Sequence, residues 1–200
     1  MTILLFSDLH SSAKALSWLT NLLAKQKFDL VIAPGDIVDR YDAKTADYLK
    51  KFVAICSKAN VPTKVVFGNN EPEPIIGLYE RRGISLHNKS YEQGGYTFIG
   101  IGDVEVHPDR MVDPTVLPIA GNILVTHRPP NKISNLKSKI SKFKNLPAIH
   151  IAGHTHYQAF TEKIGETLVI HVPAAIDGQA AILQLPQKTV QFIKDHDPLF

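Results

Sequence analysis

Five hydrophobic runs in this chain lead into side chains that are able to bind a metal ion. Three of these side chains offer a carboxylate or amide oxygen and four offer an imidazole: Asp8, His10, Asp36, Asn69, His127, His154 and His156. This mixture of ligands suits borderline divalent metals such as Mn, Fe, Zn, Ni or Co. Seven ligands are too many for one such ion, but they suffice for two ions if one carboxylate bridges them. Two ions about 3.5–4 Å apart are used in enzymes for in-line displacement at phosphorus.

The runs that precede these ligands have the length and composition of buried strands. Apolar stripes at helical spacing separate the first three, one over residues 13–23 and one over 46–56. Strand–helix–strand order predicts parallel βαβ units, and the strand-rich second half predicts an α/β protein with two sheets. Active sites of α/β folds lie where the carboxyl ends of strands meet, so we expect the ligands to converge. The predicted strands are 2–6, 29–33, 63–67, 96–101, 122–126, 148–152, 167–172, 180–185 and 189–193.

The composition fits one domain over residues 1–200, because 44% of the 200 residues are hydrophobic and allow a sizeable core. A net charge of +3 is weak evidence for a polyanionic partner. The single cysteine, Cys56, excludes an intrachain disulfide and favours a reducing compartment. No signal-peptide pattern follows Met1, and no apolar run approaches the roughly 20 residues of a membrane span. We therefore expect a cytoplasmic protein that does not act in a membrane.

The candidate ligands fall in five short motifs. The chain reads DLH at 8–10, GDIVD at 35–39, GNNE at 68–71, THR around His127 and GHTH at 153–156. In this order it resembles the calcineurin-like metallophosphoesterases, whose motifs are D-x-H, G-D-x-x-D, G-N-H-[DE], H and G-H-x-H. The resemblance implies a two-sheet α/β/β/α sandwich that hydrolyses phosphate esters. The expected substrate is a small phosphate ester or a nucleotide.

The resemblance also implies a role for each ligand. Asp36 would bridge two divalent ions, for which Mn is the first expectation and Fe, Zn, Ni or Co are alternatives. A hydroxide that bridges the ions would be the nucleophile. Asp39 would orient a ligand imidazole from outside the coordination sphere. The first ion would be completed by Asp8, His10 and His156, and the second by Asn69, His127 and His154.

The chain departs from the family motif at Asn70. Monoesterases of the family usually carry a His there, which is proposed to protonate the leaving oxygen, and an amide can only donate a hydrogen bond to a phosphate oxygen. General acid catalysis contributes about 10²–10⁴-fold. We therefore expect hydrolysis of phosphodiesters, by metal activation alone or with an acid from elsewhere. Glu71 takes the place of the acidic residue that orients the usual His, so we expect Glu71 to lack its partner.

Two other functions stay open. The domain could be a protein-binding scaffold with weak or no activity, as in the retromer subunit that resembles this family. It could also be a nuclease, which would need a basic groove that leads to the metals. Residues 172–178 follow a predicted strand and could form a wall of the substrate mouth or a homodimer contact.

Arg128 follows His127 directly and is the best candidate for contacting a phosphate. It begins a stretch of six basic residues without an acid that ends at Lys144. An apolar face over residues 133–143 favours a helix whose lysines point to solvent, so nucleic acid is not the favoured partner.

We expect a loop or turn role for Asp103 and keep His107 as a candidate substitute acid. Structural or surface roles are expected for His87, His150, His171 and His196.

Overall fold

The computed structural model describes residues 1–116, 121–132, 146–157 and 159–195. In these ranges the chain forms two mixed β-sheets, with helices packed on the first sheet. The helices are α1 (Ala13–Lys25), α2 (Thr45–Lys58) and α3 (Glu73–Arg81), with short 3₁₀ turns at Pro114–Val116, Pro130–Lys132 and Ala175–Asp177. The strands are β1 (Thr2–Leu5), β2 (Leu30–Ala33), β3 (Thr63–Val65), β4 (Lys89–Gln93), β5 (Tyr96–Ile101), β6 (Ile123–Thr126), β7 (Ile149–Ala152), β8 (Phe160–Ile164), β9 (Thr167–His171), β10 (Gln179–Gln184) and β11 (Thr189–Lys194).

The first sheet has the strand order β11-β10-β1-β2-β3. Its strands β1, β2 and β3 run parallel. On the other side of β1, β10 pairs antiparallel with β1, and β11 pairs antiparallel with β10. Leu5 pairs with Ile32, and Ala33 pairs with Val65. Because parallel strands end at the same edge, the loops after β1, β2 and β3 leave the sheet side by side.

The second sheet has the order β4-β5-β6-β7-β9-β8. Strands β5, β6, β7 and β9 are parallel, and antiparallel strands β4 and β8 close its two sides. Thr126 pairs with Ala152, so the loops after β6 and β7 also leave from one edge. A bridge between Ser7 and Ala174 joins this edge to that of the first sheet.

The core consists of two hydrophobic layers. Alternate side chains of β1, such as Ile3 and Leu5, face the inner side of the second sheet, including Val125 and Ile151. Leu4 points the other way, into the layer formed with α1, α2 and α3. This alternation is what a strand buried on both faces produces.

Local signals set the ends of two helices. The Ser12 hydroxyl accepts a hydrogen bond from Ala15 N at 3.2 Å, which caps α1. Pro74 lies in the first turn of α3, where its missing N–H costs no helical hydrogen bond. Among the described residues no helix combines the length and apolarity needed to cross a membrane.

The predicted two-sheet α/β sandwich is confirmed, and each of the nine predicted strands is present. The sequence reading missed β4 and β8. Both are edge strands, and β8 is exposed at all five positions, so neither has the apolar run of a buried strand. The predicted helical face over residues 133–143 lies outside the described residues.

Candidate metal centre

The loops at the joined edge of the two sheets have an uncommon backbone conformation. A positive φ is rare for residues other than glycine and costs about 1–3 kcal/mol per residue. It persists only where the surrounding structure enforces it, and functional sites are where it clusters. Five of the seven predicted ligands adopt it, namely Asp8 (55°), His10 (47°), Asp36 (53°), His154 (71°) and His156 (45°).

Asp8, His10 and His156 form what we call the open half of the site. His156 Nε2 lies 3.3 Å from Asp8 Oδ1 and 3.2 Å from His10 Nε2. The Asp8 side chain is fully buried, whereas those of His10 and His156 are 14% and 33% exposed. The imidazoles are therefore the side chains of this half that contact solvent.

Asp36, Asn69, His127 and His154 form the closed half. His127 Nε2 lies 3.0 Å from Asn69 Oδ1, 3.1 Å from His154 Nδ1 and 3.5 Å from Asp36 Oδ2. The side chains of Asp36 and His127 are almost completely buried. Four potential ligand atoms therefore face one small space at the bottom of the site.

A backbone carbonyl fixes the orientation of the buried imidazole. His127 Nδ1 lies 2.7 Å from the carbonyl oxygen of Pro34. Because a carbonyl only accepts hydrogen bonds, Nδ1 carries the proton and donates it, which leaves Nε2 with a lone pair. Metal-binding imidazoles are commonly oriented by such a bond from the other ring nitrogen.

The two halves meet at their carboxylates. His10 Nε2 of the open half lies 3.8 Å from Asp36 Oδ2 of the closed half. Ligand atoms within 4.8 Å of one another form two groups, Asp8 with His10 and His156, and Asp8 with Asp36 and His127. Asp8 Oδ1 is buried and has no hydrogen-bond partner among the described residues. A buried carboxylate oxygen left without a donor, beside imidazole nitrogens, fits a divalent metal site.

Burial and nearby charges raise the pKa values of some groups in the site and lower those of others. Burial alone would raise the pKa of Asp8, but the nearby imidazoles of His10 and His156 hold the pKa of this carboxyl well below its usual range. Burial acts to lower the pKa of His127, yet the nearby Asp36 and Asp8 carboxylates raise it. Burial, with the charges of His127 and Arg128, lowers the pKa of His154 to about 4. His154 is thus neutral at physiological pH, as a metal ligand must be.

Asn70 contacts a carboxylate of the site. Its backbone N donates to Asp36 Oδ1 and its side-chain Nδ2 donates to Asp36 Oδ2, each at 2.8 Å. The second asparagine of GNNE therefore binds both oxygens of Asp36. The sequence reading considered only a phosphate oxygen as the acceptor of this amide.

Glu71 lacks the imidazole that the family motif has at position 70, but the structure gives it other partners. Glu71 is completely buried and accepts hydrogen bonds from the backbone N of Asp36 (3.0 Å), Ile37 (2.6 Å) and Gly68 (2.6 Å). The Tyr79 hydroxyl of α3 donates a fourth at 2.9 Å. Burial, and then the charge of Asp36, raises the pKa of Glu71 to about 7. Glu71 therefore ties the two ligand loops after β2 and β3 together.

Close packing explains two of the glycines that precede ligands in the motifs. Gly35 has φ of 95° and does use the freedom of glycine. At Gly68 a Cβ would overlap Asp36 Oδ1 and come within 2.8 Å of His127 Nδ1. At Gly153 a Cβ would overlap the Ser7 hydroxyl. These two glycines let strand-end loops approach each other closely enough for the ligands to meet.

The structure places Asp39 differently from its predicted role. Its Oδ1 accepts a hydrogen bond from Tyr41 N at 3.1 Å, and its backbone N donates to the Ser11 hydroxyl at 3.0 Å. No imidazole among the described residues hydrogen-bonds to Asp39. Its carboxylate accepts a hydrogen bond from the backbone of its own loop, and Asp39 therefore stabilises the loop after β2.

Arg128 lies beside the closed half. Its Nε donates to Asp103 Oδ2 at 2.7 Å, and its Nη1 lies 3.2 Å from His154 Nε2. A small pocket next to it is lined by residues 101–105 and 126–128. Four of the basic residues that follow Arg128 in the sequence lie outside the described residues: Lys137, Lys139, Lys142 and Lys144.

The histidines outside the motifs are mostly structural, as expected. His87 accepts a hydrogen bond from Gly102 N at 3.0 Å, and His171 stacks on Phe160. His150 is buried behind β6, while His196 lies outside the described residues. His107 Nδ1 lies 3.1 Å from Glu73 Oε1. In the described part of the chain His107 therefore contacts a polar residue of α3 and not a ligand of the centre.

Comparisons with known proteins agree with this geometry. The family model of the calcineurin-like phosphoesterases matches residues 1–158. A solved structure of TT1561 from Thermus thermophilus is similar, with a TM-score of 0.77 at 17% identity over 98% of this chain and 99% of that one. A dimetal phosphatase from Danio rerio gives a TM-score of 0.69 at 12% identity, over 97% and 98% of the two chains. An archaeal phosphodiesterase gives 0.62 at 19% identity, over 97% and 99%. At these identities the solved structures show the fold alone. A comparison with curated proteins finds no significant match.

Proposed function

The chain belongs to the calcineurin-like phosphoesterase family, and from this premise we propose that it is a dinuclear-metal phosphodiesterase. The family uses divalent metals, and the ligand atoms of the two halves fit them. The observation that carries the proposal is the convergence of seven predicted ligands around two buried carboxylates, Asp8 and Asp36. We further propose a single catalytic domain over residues 1–200 that acts in the cytoplasm on a small phosphodiester or nucleotide.

Each half would hold one ion, and Mn²⁺ is the proposed metal. Bound ions would lower the pKa of a water nucleophile and neutralise charge on the phosphate oxygens. The open half would hold its ion through Asp8, His10 and His156. The closed half would use Asn69, His127 and His154, with Asp36 shared between the halves. This sharing is supported by the short distances from Asp36 Oδ2 to His10 and His127, 3.8 and 3.5 Å.

The chain's own residues have separate tasks in this proposal. The Pro34 carbonyl holds His127 in one tautomer, and Glu71 holds the loops that carry Asp36 and Asn69. Asn70 orients the shared carboxylate of Asp36 through two donors. Arg128 is placed to donate hydrogen bonds to a phosphate oxygen, because its Nη1 lies next to a ligand of the closed half.

The preference for diesters rests on position 70. An amide cannot protonate a leaving oxygen, and both Asn70 donors are directed at Asp36. Loss of a general acid costs about 10²–10⁴-fold, and the loss is greatest for poor leaving groups. Activated diesters should therefore be turned over by metal activation with little need for a side-chain acid.

The first test is a rate comparison between two aryl esters. The protein is stripped of metal, reloaded with Mn²⁺ and assayed with p-nitrophenyl phosphate and bis-p-nitrophenyl phosphate. The proposal expects metal-dependent turnover that is faster for the diester. Metal binding without turnover of either ester would instead support a protein-binding scaffold, for which the exposed side chains of Tyr41, Met111 and Tyr157 would be candidate contacts.

The Asn70→His variant tests why diesters are preferred. The new imidazole should raise monoesterase activity more than diesterase activity, because it supplies the acid that the wild type lacks. Asn70→Ala is the matched control, since it removes the same side-chain contact to Asp36 without adding an acid. Equal changes for both esters in Asn70→His would mean that position 70 does not face the leaving group.

A further inference from the structure

The Arg128 guanidinium is held by a buried carboxylate. Asp103 Oδ2 accepts from Arg128 Nε at 2.7 Å, and the Asp103 side chain is only 1% exposed, against 20% for Arg128. On its other side, Arg128 Nη1 lies 3.2 Å from His154 Nε2. The bond to Nε fixes the plane of the guanidinium.

The backbone of Arg128 is held as well. The Thr126 hydroxyl donates to the Arg128 carbonyl oxygen at 2.6 Å, because a carbonyl can only accept. His150 Nε2 lies 2.7 Å from the same hydroxyl oxygen and therefore donates to it. Contacts from β6 and β7 thus position the backbone of Arg128, while Asp103 positions its side chain.

The Asp103 side chain is not needed for the turn in which it lies. Its backbone makes that turn, since its N donates to the Phe67 carbonyl at 2.9 Å and its carbonyl accepts from His107 N at 3.2 Å. Its second oxygen, Oδ1, is buried and has no hydrogen-bond partner among the described residues. A buried carboxylate with so few donors is costly. Among the described residues, its side chain hydrogen-bonds to Arg128, and we infer that holding Arg128 is the role of the Asp103 side chain.

We propose that Asp103 is a positioning residue that presents Arg128 to a phosphate oxygen of the ester bound at the closed half. This inference rests on the proposed phosphoesterase function and narrows its substrate class. Asp103 compensates the charge of Arg128. A second carboxylate, that of Glu105, has its Oε2 4.0 Å from Arg128 Nε. The Arg128 subsite therefore offers hydrogen-bond donors without net positive charge. Such a subsite suits a monoanionic diester better than a dianionic monoester.

A double-mutant cycle tests the inference. In the Mn²⁺-loaded protein, Asp103→Asn should raise KM for bis-p-nitrophenyl phosphate about 10-fold and change kcat less, since outer contacts of metal sites are typically worth 10–100-fold. In an Arg128→Ala background the same Asp103→Asn change should alter KM less than about 2-fold, because its target is gone. An equal effect in both backgrounds would overturn the inference. Asp109→Asn, an exposed carboxylate of the same loop, is the matched control and should match wild type.

Arg128→Ala leaves Asp103 buried and unpaired, so it can fail to fold. Arg128→Lys provides the second background, because it keeps a cation against Asp103 but loses the planar guanidinium. There too the effect of Asp103→Asn should fall below about 3-fold, as expected for residues that act as one unit. An undiminished effect in Arg128→Lys would contradict the inference.

Two further readouts separate this inference from the proposed function. Titration with inorganic phosphate should show about 10-fold weaker binding to Mn²⁺-loaded Asp103→Asn than to wild type. In the ¹⁵N-labelled metal-free protein, the Arg128 Nε–H should exchange slowly with solvent, and Asp103→Asn should abolish this protection. Turnover of neither ester with both readouts intact would overturn the phosphodiesterase proposal but keep the positioning role. Wild type that binds no phosphate would overturn the role.

Discussion

The open and closed halves of the centre use the same types of ligand but hold them differently. In the open half, His10 and His156 are partly exposed, and in the described part of the chain their Nε2 atoms contact other groups of the site. In the closed half, His127 is fully buried and its orientation is set by the Pro34 carbonyl. A protein group outside the ligand set therefore orients the closed half, whereas loops with positive φ carry ligands of both halves.

This difference predicts that the ions are not equivalent. An organised, desolvated ligand set loses less freedom on binding and should hold its ion more tightly. The exposed half should exchange its ion with solvent more readily. Two hydrogen-bonding systems support the closed half, Glu71 beneath its loops and Asp103 beside Arg128. The loop of His10 is held by backbone hydrogen bonds instead, from Asp8 N to the Gly35 carbonyl and from His10 N to the Asp36 carbonyl, each at 3.1 Å.

The largest effect is expected from removing the carboxylate shared between the halves. Asp36→Ala should reduce metal-dependent hydrolysis at least about 10³-fold, because loss of even one charge-stabilising donor costs about 10²–10³-fold. The rate is measured with bis-p-nitrophenyl phosphate at saturating Mn²⁺, after circular dichroism has shown that the variant is folded. Asp47→Ala, an exposed acid on α2, is the control. Surviving turnover in Asp36→Ala would mean that the site is assigned wrongly.

A pair of variants distinguishes the two halves directly. His10→Ala should lose the weaker ion and keep the tighter one, and His127→Ala should do the reverse. In wild type we expect the two affinities to differ about 10–100-fold, the usual worth of contacts that orient a ligand. Bound metal is measured by elemental analysis after dialysis against a weak chelator. Equal metal loss in both variants would show that the halves bind as one unit.

Glu71→Gln should weaken metal binding mainly at the closed half. The carboxylate accepts from three backbone N–H groups of the ligand loops, and a Gln amide has only one oxygen for them. We expect about 10–100-fold weaker binding of the tighter ion, measured by isothermal titration with Mn²⁺.

Tyr79→Phe is the matched control for Glu71→Gln, because it removes only the hydroxyl that reaches the same carboxylate from α3. It should cost about 1 kcal/mol of unfolding free energy and leave metal affinity nearly unchanged. If Tyr79→Phe weakens metal binding as much as Glu71→Gln does, the effect is one of general stability.

The last prediction concerns the acid sensitivity that His150 of β7 gives the fold, and it leaves the metal centre unchanged. Burial, with the charge of His171, lowers the pKa of His150 to about 3, whereas an unfolded His titrates near about 6.5. Below pH 6.5 the unfolded chain therefore binds a proton that the folded protein does not. The contribution of His150 to stability is complete above that pH and is lost progressively as the pH falls, by about 2 kcal/mol at pH 5.

His150→Gln keeps a donor for Thr126 but cannot titrate. Its unfolding free energy should fall about 2 kcal/mol less than that of wild type between about pH 8 and pH 5. Urea unfolding at each pH measures the difference. Parallel curves for the two proteins would show that His150 accepts a proton in the folded state without cost.

The sequence predicted most of the fold because buried strands leave a strong local signal. Nine strands and the stripes of α1 and α2 were recognisable from apolar runs and helical spacing. Strands β4 and β8 were not, because both are rich in polar residues and lack an apolar run.

The sequence by itself determined which side chains could bind metals and that they follow strands that end at one edge. Only the tertiary structure decided what supports them. Glu71, Asn70 and Asp103 contact residues that are 25 to 35 positions away in the chain, and no local pattern encodes such partners. The difference arises because strand and helix signals come from a residue's neighbours in sequence. Hydrogen bonds to buried loops depend instead on how two sheets bring distant strand ends together.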